Sequence, residues 1–299
     1  MRILIIGALG NLASPTIELL VAKHPDVTLR LTSHRDSGVM ELGEKYPSAE
    51  VMQADWNDLD SLKRAVKDVD RVLVVMTDWV IDESIATPNL IEALNAEGSV
   101  ELVLRFIALP PGLTRESVPP DVFATRGGAM LTLEAKPLLD SSQLPVCYVN
   151  AACWIGFNIE WFYGEDIRKL RKIRMPAATD MARQWVAEGD LAEAFVKILT
   201  DPAEDHVGRE YLVTGGTRYT YQDQAELISR ELGERVDWVD DDTGLRDIMG
   251  DKFDTLMTYL GHETQVYGAV PATQELEKLL GRERTSLEQY VRSIKDSLL

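Results

Sequence analysis

Near the amino terminus, Gly7-Ala8-Leu9-Gly10-Asn11-Leu12-Ala13 has the residue types and spacing to hold a pyrophosphate. Gly7 permits a tight turn, Gly10 lets backbone amides approach the phosphates, and small Ala13 lets a helix lie close to the preceding strand. The N–H groups at that helix start would face the anion, which makes Gly7, Leu9, Gly10, Asn11 and Leu12 candidate contacts. A bare G-x-x-G-x-x-A pattern is common. Its weight comes from following the apolar run Arg2 to Ile6 and opening an amphipathic segment. The alternative is an ordinary strand-to-helix turn without a ligand.

Dinucleotides are discriminated at the end of the second strand of such a unit, where an acid suits the ribose of NAD and a base the 2′-phosphate of NADP. Here the residues are Ser33-His34-Arg35-Asp36. Arg35 offers a planar fork for phosphate and Ser33 an added donor, so NADP is favoured, with NAD as the alternative through Asp36. After the third strand, Ala54-Asp55-Trp56 puts a carboxylate where it could accept from an adenine amino group. Its other reading is a helix cap, a role that Asp58 fills better. Met76, Thr77 and Asp78 follow the fourth strand, at the edge where ligands collect.

These residues need a sheet to bring them together. Short apolar runs alternate with amphipathic segments through the first half, the pattern of βαβ units and a parallel sheet. Strands are expected at Arg2 to Ile6, Val27 to Thr32, Val51 to Ala54, Arg71 to Met76, Leu102 to Ala108 and Val146 to Ala151. Helices are expected from Pro15 to Lys23, with Ile17, Leu20 and Val21 inward, around Leu59, Leu62 and Val66, from Asn89 to Ala96 with Gly98 as its stop, and from Thr132. Later come a helix at Leu191 to Leu199, a strand at Glu210 to Val213, a helix from Gln222 to Leu232 closed by Gly233, and a final helix capped by Thr285-x-x-Glu288. The expected fold is α/β: a Rossmann-type doubly wound parallel sheet with a smaller C-terminal α-rich substrate cap. Residues 1–152 would bind NAD(P), and residues 153–299 would form the cap, with a segment near 185–215 returning to the sheet.

Composition narrows the function classes. The chain has 299 residues, 45% of them hydrophobic, enough for a sizeable core, and a net charge of -18 that repels nucleic-acid and anionic lipid surfaces. No run approaches the roughly 20 apolar residues of a membrane helix. Two cysteines, Cys147 and Cys153, make neither a disulfide framework nor a four-ligand zinc site, and a cytoplasmic setting is expected. The four histidines lack metal-binding spacing, no G-x-S-x-G elbow occurs, and Asp240-Asp241-Asp242 lacks the spaced ligands of a calcium loop. No metal site is expected. Trp154, Phe157, Trp161, Phe162 and Tyr163 form an aromatic cluster suited to a core or a pocket wall.

Taken together, the glycine motif, Arg35, Ala54-Asp55-Trp56, the Leu144-Pro145 lead into the sixth strand, Gly189-Asp190-Leu191-Ala192 and Gly208 to Gly215 resemble the NmrA-like family of atypical short-chain dehydrogenase/reductases. The resemblance implies an NADP(H)-dependent oxidoreductase or a regulator that senses the cofactor. The departures bear on chemistry. No tyrosine of the nine has lysine four residues on, so the Tyr-x-x-x-Lys acid of ordinary short-chain dehydrogenases is missing. The fifth strand ends Phe106-Ile107-Ala108-Leu109, without the serine of related enzymes. Isoflavone-reductase relatives carry a catalytic lysine at the position that is Thr132 here, and Lys136 stands one helical turn later. The family's Arg-Pro-Gly after the sixth strand becomes Asn150-Ala151-Ala152.

Two readings follow. In the first, hydride passes from NADPH to an electron-poor small molecule such as an iminium, enone or quinone, which needs no dedicated proton donor; Lys136 and Thr132 are the remaining catalytic candidates. Asp78, Trp79, Phe106, Ala108, Asn150, Trp154 and Phe157 would line the substrate pocket. In the second, the protein binds NADP and a protein partner without turnover.

Overall fold

The computed structural model describes all residues, Met1–Leu299. They form two compact units. The first comprises Met1–Leu109, Gly128–Asn150 and Leu191–Leu212.

Six strands of the first unit are β1 (Arg2–Ile6), β2 (Thr28–Ser33), β3 (Glu50–Gln53), β4 (Arg71–Val74), β5 (Leu102–Ile107) and β6 (Val146–Asn150). With Glu210–Leu212 they make a seven-stranded sheet in the order Glu210–Leu212, β6, β5, β4, β1, β2, β3, every pairing parallel. This is the Rossmann-type arrangement expected from the alternation of buried runs. The chain winds outward through β2 and β3, then returns to place β4 beside β1, so strand order reverses between β1 and β4. A crevice opens at such a switch point, outside the strands' carboxyl ends.

The helices of the first three crossovers and the next are α1 (Ala13–Lys23), α2 (Asp36–Lys45), α3 (Leu59–Val66) and α4 (Glu83–Glu97). The buried face of α1 is Ala13, Thr16, Ile17 and Leu20, while Val21, expected inside, is 45% exposed. Val21 lies four residues past Ile17 but on the flank of the stripe; Thr16, on the opposite flank, is buried and bonds back to the Leu12 carbonyl at 2.7 Å. α2 was not foreseen, because Asp36–Lys45 carries two glycines, Gly38 and Gly43, and few apolar residues. α4 begins six residues before Asn89. Asp82 caps it by accepting from the Ser84 N–H, and Pro88 inside the helix had obscured that start. Asp58 caps α3, accepting from Asp60 and Ser61. Against one face of the sheet, Leu62, Ala65 and Val66 of α3, Leu90 and Leu94 of α4, and Leu139 of the helix Gly128–Ser141 pack on Leu4, Ile6, Val72, Val74, Val103 and Tyr148. On the other, Phe195 of the helix Glu188–Thr200 meets Phe106 edge-on, ring centroids 5.8 Å apart.

The second unit comprises Pro110–Gly127, Ala151–Asp190 and Val213–Leu299. Helices dominate it, but it also contains sheet that the sequence did not announce. Arg183–Val186 pairs with Trp154–Ile155 and Arg218–Tyr219, and Lys172–Arg174 pairs with Asp237–Val239. Glu160–Gly164 is a π-helix. Its Phe162 and Tyr163 are buried, whereas Trp161, grouped with them in the sequence, is 43% exposed. The last long turn begins one residue later than expected: Ser286, not Thr285, is the cap, in a reciprocal box with Gln289. Thr285 is spent on Asp190, which is 2% exposed and accepts from the Thr285 N–H and hydroxyl and from Arg282. One carboxylate of the Gly189-Asp190 motif thus ties down the segment Arg282–Thr285.

Candidate dinucleotide site and the end of the fifth strand

Gly7 leaves β1 with φ +76°, the left-handed region where a side chain is strained, and a Cβ there would stand 3.4 Å from the Val75 carbonyl oxygen across the crevice. The Gly10 N–H donates to the Gly7 carbonyl at 3.0 Å, and Ser14 donates to Gly10, so the loop coils directly into α1. A Cβ on Gly10 would sit 3.2 Å from that same Gly7 oxygen. Leu12 is the N-cap residue of α1 and supplies no side-chain cap. The positive end of an eleven-residue helix therefore faces the crevice over a glycine-lined floor, a fit for a pyrophosphate. Leu12 is buried, Leu9 half-buried and Asn11 exposed at the rim.

At the end of β2, Ser33 is buried and its hydroxyl accepts from the Arg35 N–H at 3.2 Å. Arg35 is the exposed N-cap residue of α2, in extended conformation. Asp55 behaves as a turn residue: one carboxylate oxygen accepts from the Asn57 N–H at 2.9 Å and from its carboxamide, leaving the second for any adenine contact. Trp56 and Met76 lie half-buried against the core, Thr77 and Asp78 are exposed, and Trp79 holds φ +59°. Since β4, β1, β2 and β3 are successive neighbours, these groups all lie along one carboxyl edge of the sheet.

The residues at the end of β5 have a different character. Thr132 is 2% exposed, and its hydroxyl accepts from the Ala108 N–H at 3.2 Å. Asn150, also 2% exposed, grips Leu109 twice: its oxygen accepts from the Leu109 N–H at 2.8 Å and its nitrogen donates to the Leu109 carbonyl at 2.9 Å. The same nitrogen donates to Glu210 at 2.7 Å. Lys136 forms ion pairs with Asp140 at 2.8 Å and Glu210 at 3.5 Å and lies 4.6 Å from the Tyr148 ring centroid. Tyr148 donates its hydroxyl to Asp140, and burial pushes the pKa of that hydroxyl up. These polar side chains are committed to holding the backbone and one another.

Of the remaining pocket candidates, Phe106 and Ala108 are half-buried at this edge. Trp154 and Phe157 belong to the second unit. Trp154 is held on all sides: its indole donates to Glu263 at 2.8 Å, its ring lies 4.4 Å from the Arg183 guanidinium, and Trp185 and Phe162 pack against it. Burial raises the pKa of Glu263. Cys147 and Cys153 are free and buried, and burial pushes both thiols up to about 12, as small core residues behave. No group of metal-ligating side chains is present, and no helix is long and apolar enough to cross a membrane. One contributor escaped the sequence reading. Gly38, in the first turn of α2, lies against Ser33 and Leu9; the only signal for it was a glycine inside a weak helical pattern.

The sheet order, the reversal beside β1 and the glycine floor define a Rossmann-type dinucleotide-binding protein. An NAD(P)H-binding family model matches residues 7–141, which bears out the expected cofactor class. A bifunctional pinoresinol-lariciresinol reductase 2 of Thuja plicata is 23% identical over 214 residues, 67% of this chain and 66% of that protein's length. Among solved structures, triphenylmethane reductase of Citrobacter sp. in complex with NADP(H) superposes with TM-score 0.80 at 18% identity, covering 98% of this chain and 99% of that one. NmrA, a negative transcriptional regulator in complex with NADP, gives 0.76 at 18% identity, covering 99% and 95%. The resemblance to NmrA-like proteins drawn from the sequence is matched by this shared fold.

Proposed function

We propose that the protein is an NADP(H)-dependent oxidoreductase that transfers hydride to an activated small organic acceptor of the iminium, enone or quinone type. The observation that carries this reading is the contrast between the two ends of the crevice: an open glycine floor for the cofactor, and a β5 end whose nearby polar side chains are already engaged. With Thr132 and Asn150 holding Ala108 and Leu109, and Lys136 between two carboxylates, these groups are poorly placed to protonate a developing alkoxide. An iminium accepts hydride and becomes a neutral amine with no proton needed. Quinone and enone acceptors give stabilised anions that water can protonate. The protein's part is then to bind and orient the cofactor and to exclude water.

In this reading Gly7, Leu9, Gly10, Asn11 and Leu12 hold the pyrophosphate, and Ser33 and Arg35 the 2′-phosphate. The buried thiols suit a reducing cytoplasm. The net charge of -18 also favours cationic acceptors, over the roughly 8–10 Å that physiological salt allows.

The test is NADPH consumption against a panel of iminium, quinone, enone and plain ketone acceptors. Turnover of activated acceptors in preference to ketones is expected. Efficient ketone reduction that disappears in Lys136→Met would overturn the reading. A second reading, a regulator that binds NADP without turnover, is favoured by the fold shared with NmrA. Tight NADPH binding with no turnover of any acceptor would select it.

A further inference from the structure

A side chain at position 38 would have nowhere to go. An ideal Cβ on Gly38 would lie 2.2 Å from the Ser33 hydroxyl oxygen, 2.9 Å from the Ser33 Cβ and 2.9 Å from the Leu9 Cδ1. The Leu9 methyl can swing aside, and Ser33 can change rotamer. Its Cβ cannot, because it is fixed by the backbone of β2. Apolar carbons approach to about 3.5–4.0 Å, so a methyl at 38 would drive the first turn of α2 back by roughly 0.6 Å or more.

That first turn carries Arg35. The Ser33 hydroxyl that the methyl would displace is the group that accepts the Arg35 N–H at 3.2 Å. Gly38 therefore joins three parts of the adenosine side of the crevice: Leu9 of the glycine loop, the last residue of β2, and the N-cap of α2. Its backbone is helical and not left-handed, so conformational freedom does not explain a glycine here. Close approach does.

We propose that Gly38 is a cofactor-specificity residue: by its lack of a side chain it seats α2 against Ser33 and thereby sets the backbone from which Arg35 reaches the 2′-phosphate. This rests on the NADP reading given above. Gly38 itself touches no cofactor and acts as a positioning residue.

The experiment is calorimetric titration of the full-length protein with NADP+ and NAD+, and with 2′,5′-ADP and 5′-AMP, which differ only in the 2′-phosphate. The wild-type protein is expected to prefer the 2′-phosphorylated member of each pair by about tenfold. In Gly38→Ala that ratio should fall below about threefold, with NAD+ and 5′-AMP affinity changed far less. A general loosening of the fold would weaken both members of a pair and leave the ratio alone. A folded Gly38→Ala protein that keeps the full ratio overturns the proposal. If Gly38→Ala fails to fold, Ser33→Ala decides when it is measured both with Arg35 present and in the Arg35→Ala background: a ratio reduced only where Arg35 is present supports the chain of contacts, and an unchanged ratio, or the same reduction without Arg35, overturns it. Arg35→Ala separates the two levels. If Arg35→Ala keeps the wild-type ratio, the assignment of Arg35 to the 2′-phosphate is at fault and the role of Gly38 falls with it, whereas a wild-type ratio near one overturns the NADP reading itself.

Discussion

The ion pair between Arg105 of β5 and Glu83 at the start of α4 is buried on both sides, with relative exposures of 2% and 0%. Arg105 Nη2 donates to Glu83, and the Thr87 hydroxyl donates to the other carboxylate oxygen. The Nε and Nη1 atoms of Arg105 are buried without hydrogen-bond partners, so the compensation of this cation falls on Glu83. Glu83→Gln preserves the shape and removes the charge. Breaking one partner of a buried pair costs about 3–5 kcal/mol, because the survivor is left uncompensated in a low-dielectric site. At roughly 2–3 °C per kcal/mol for a chain of this size, the melting temperature should fall by roughly 6–15 °C. The double variant Glu83→Leu/Arg105→Met removes both charges. It is expected to be near neutral, or stabilising by about 1–4 kcal/mol. Urea unfolding followed by circular dichroism and tryptophan fluorescence gives the energies. A loss under about 1 kcal/mol for Glu83→Gln, or a double variant as unstable as the single, would refute the argument that the cost of Glu83→Gln comes from an uncompensated charge and not from lost packing.

Gly10→Val should abolish dinucleotide binding in a folded protein, since even a Cβ would crowd the Gly7 carbonyl and the branched side chain fills the crevice floor; retained affinity by calorimetry would move the site elsewhere. Lys136→Met should leave kcat within about twofold, against the 100- to 10,000-fold loss expected of a catalytic acid, and should cost at most about 1 kcal/mol for its partly exposed ion pairs. Burial raises the pKa of Glu188, whose carboxylate accepts from the Tyr290 hydroxyl. The folded protein then holds that proton to higher pH than the unfolded chain, so Glu188 favours folding in acid and the advantage is lost as pH rises through the folded pKa. Glu188→Gln should thus gain stability relative to wild type toward neutral pH, with the gain vanishing below the ordinary glutamate pKa of about 4.3; equal denaturation midpoints at every pH would contradict this.

The strands of the first unit could be read from the sequence because each of β1, β4 and β6 is buried along nearly its whole length, leaving continuous apolar runs between turns. The glycine loop was legible because its chemistry is local: seven consecutive residues contain the turn, the floor and the helix start. The engagement of Thr132, Lys136 and Asn150 was not legible. Their partners Ala108, Glu210 and Leu109 lie 24 to 74 residues away along the chain and meet only when three strands align. Gly38 was hidden for the same reason, since the need for it comes from Ser33 and Leu9 and not from its own turn of helix. In the second unit, strands of two to four residues and a single π-turn leave almost no periodic trace.

The seventh strand has a consequence for how the chain is made. β6 is buried at every residue, and its outer edge is closed by Glu210–Leu212, with the Tyr148 N–H donating to the Arg209 carbonyl and the Gly208 N–H to that of Val146. A ribosome delivers that partner roughly 60 residues after β6, which at about 5–20 residues per second is an interval of roughly 3–12 s. Through that interval the nascent sheet ends in a bare, apolar strand edge, the kind that recruits strands from other chains. A fragment ending at residue 152 would be held in that state permanently, and is expected to aggregate where the full chain does not.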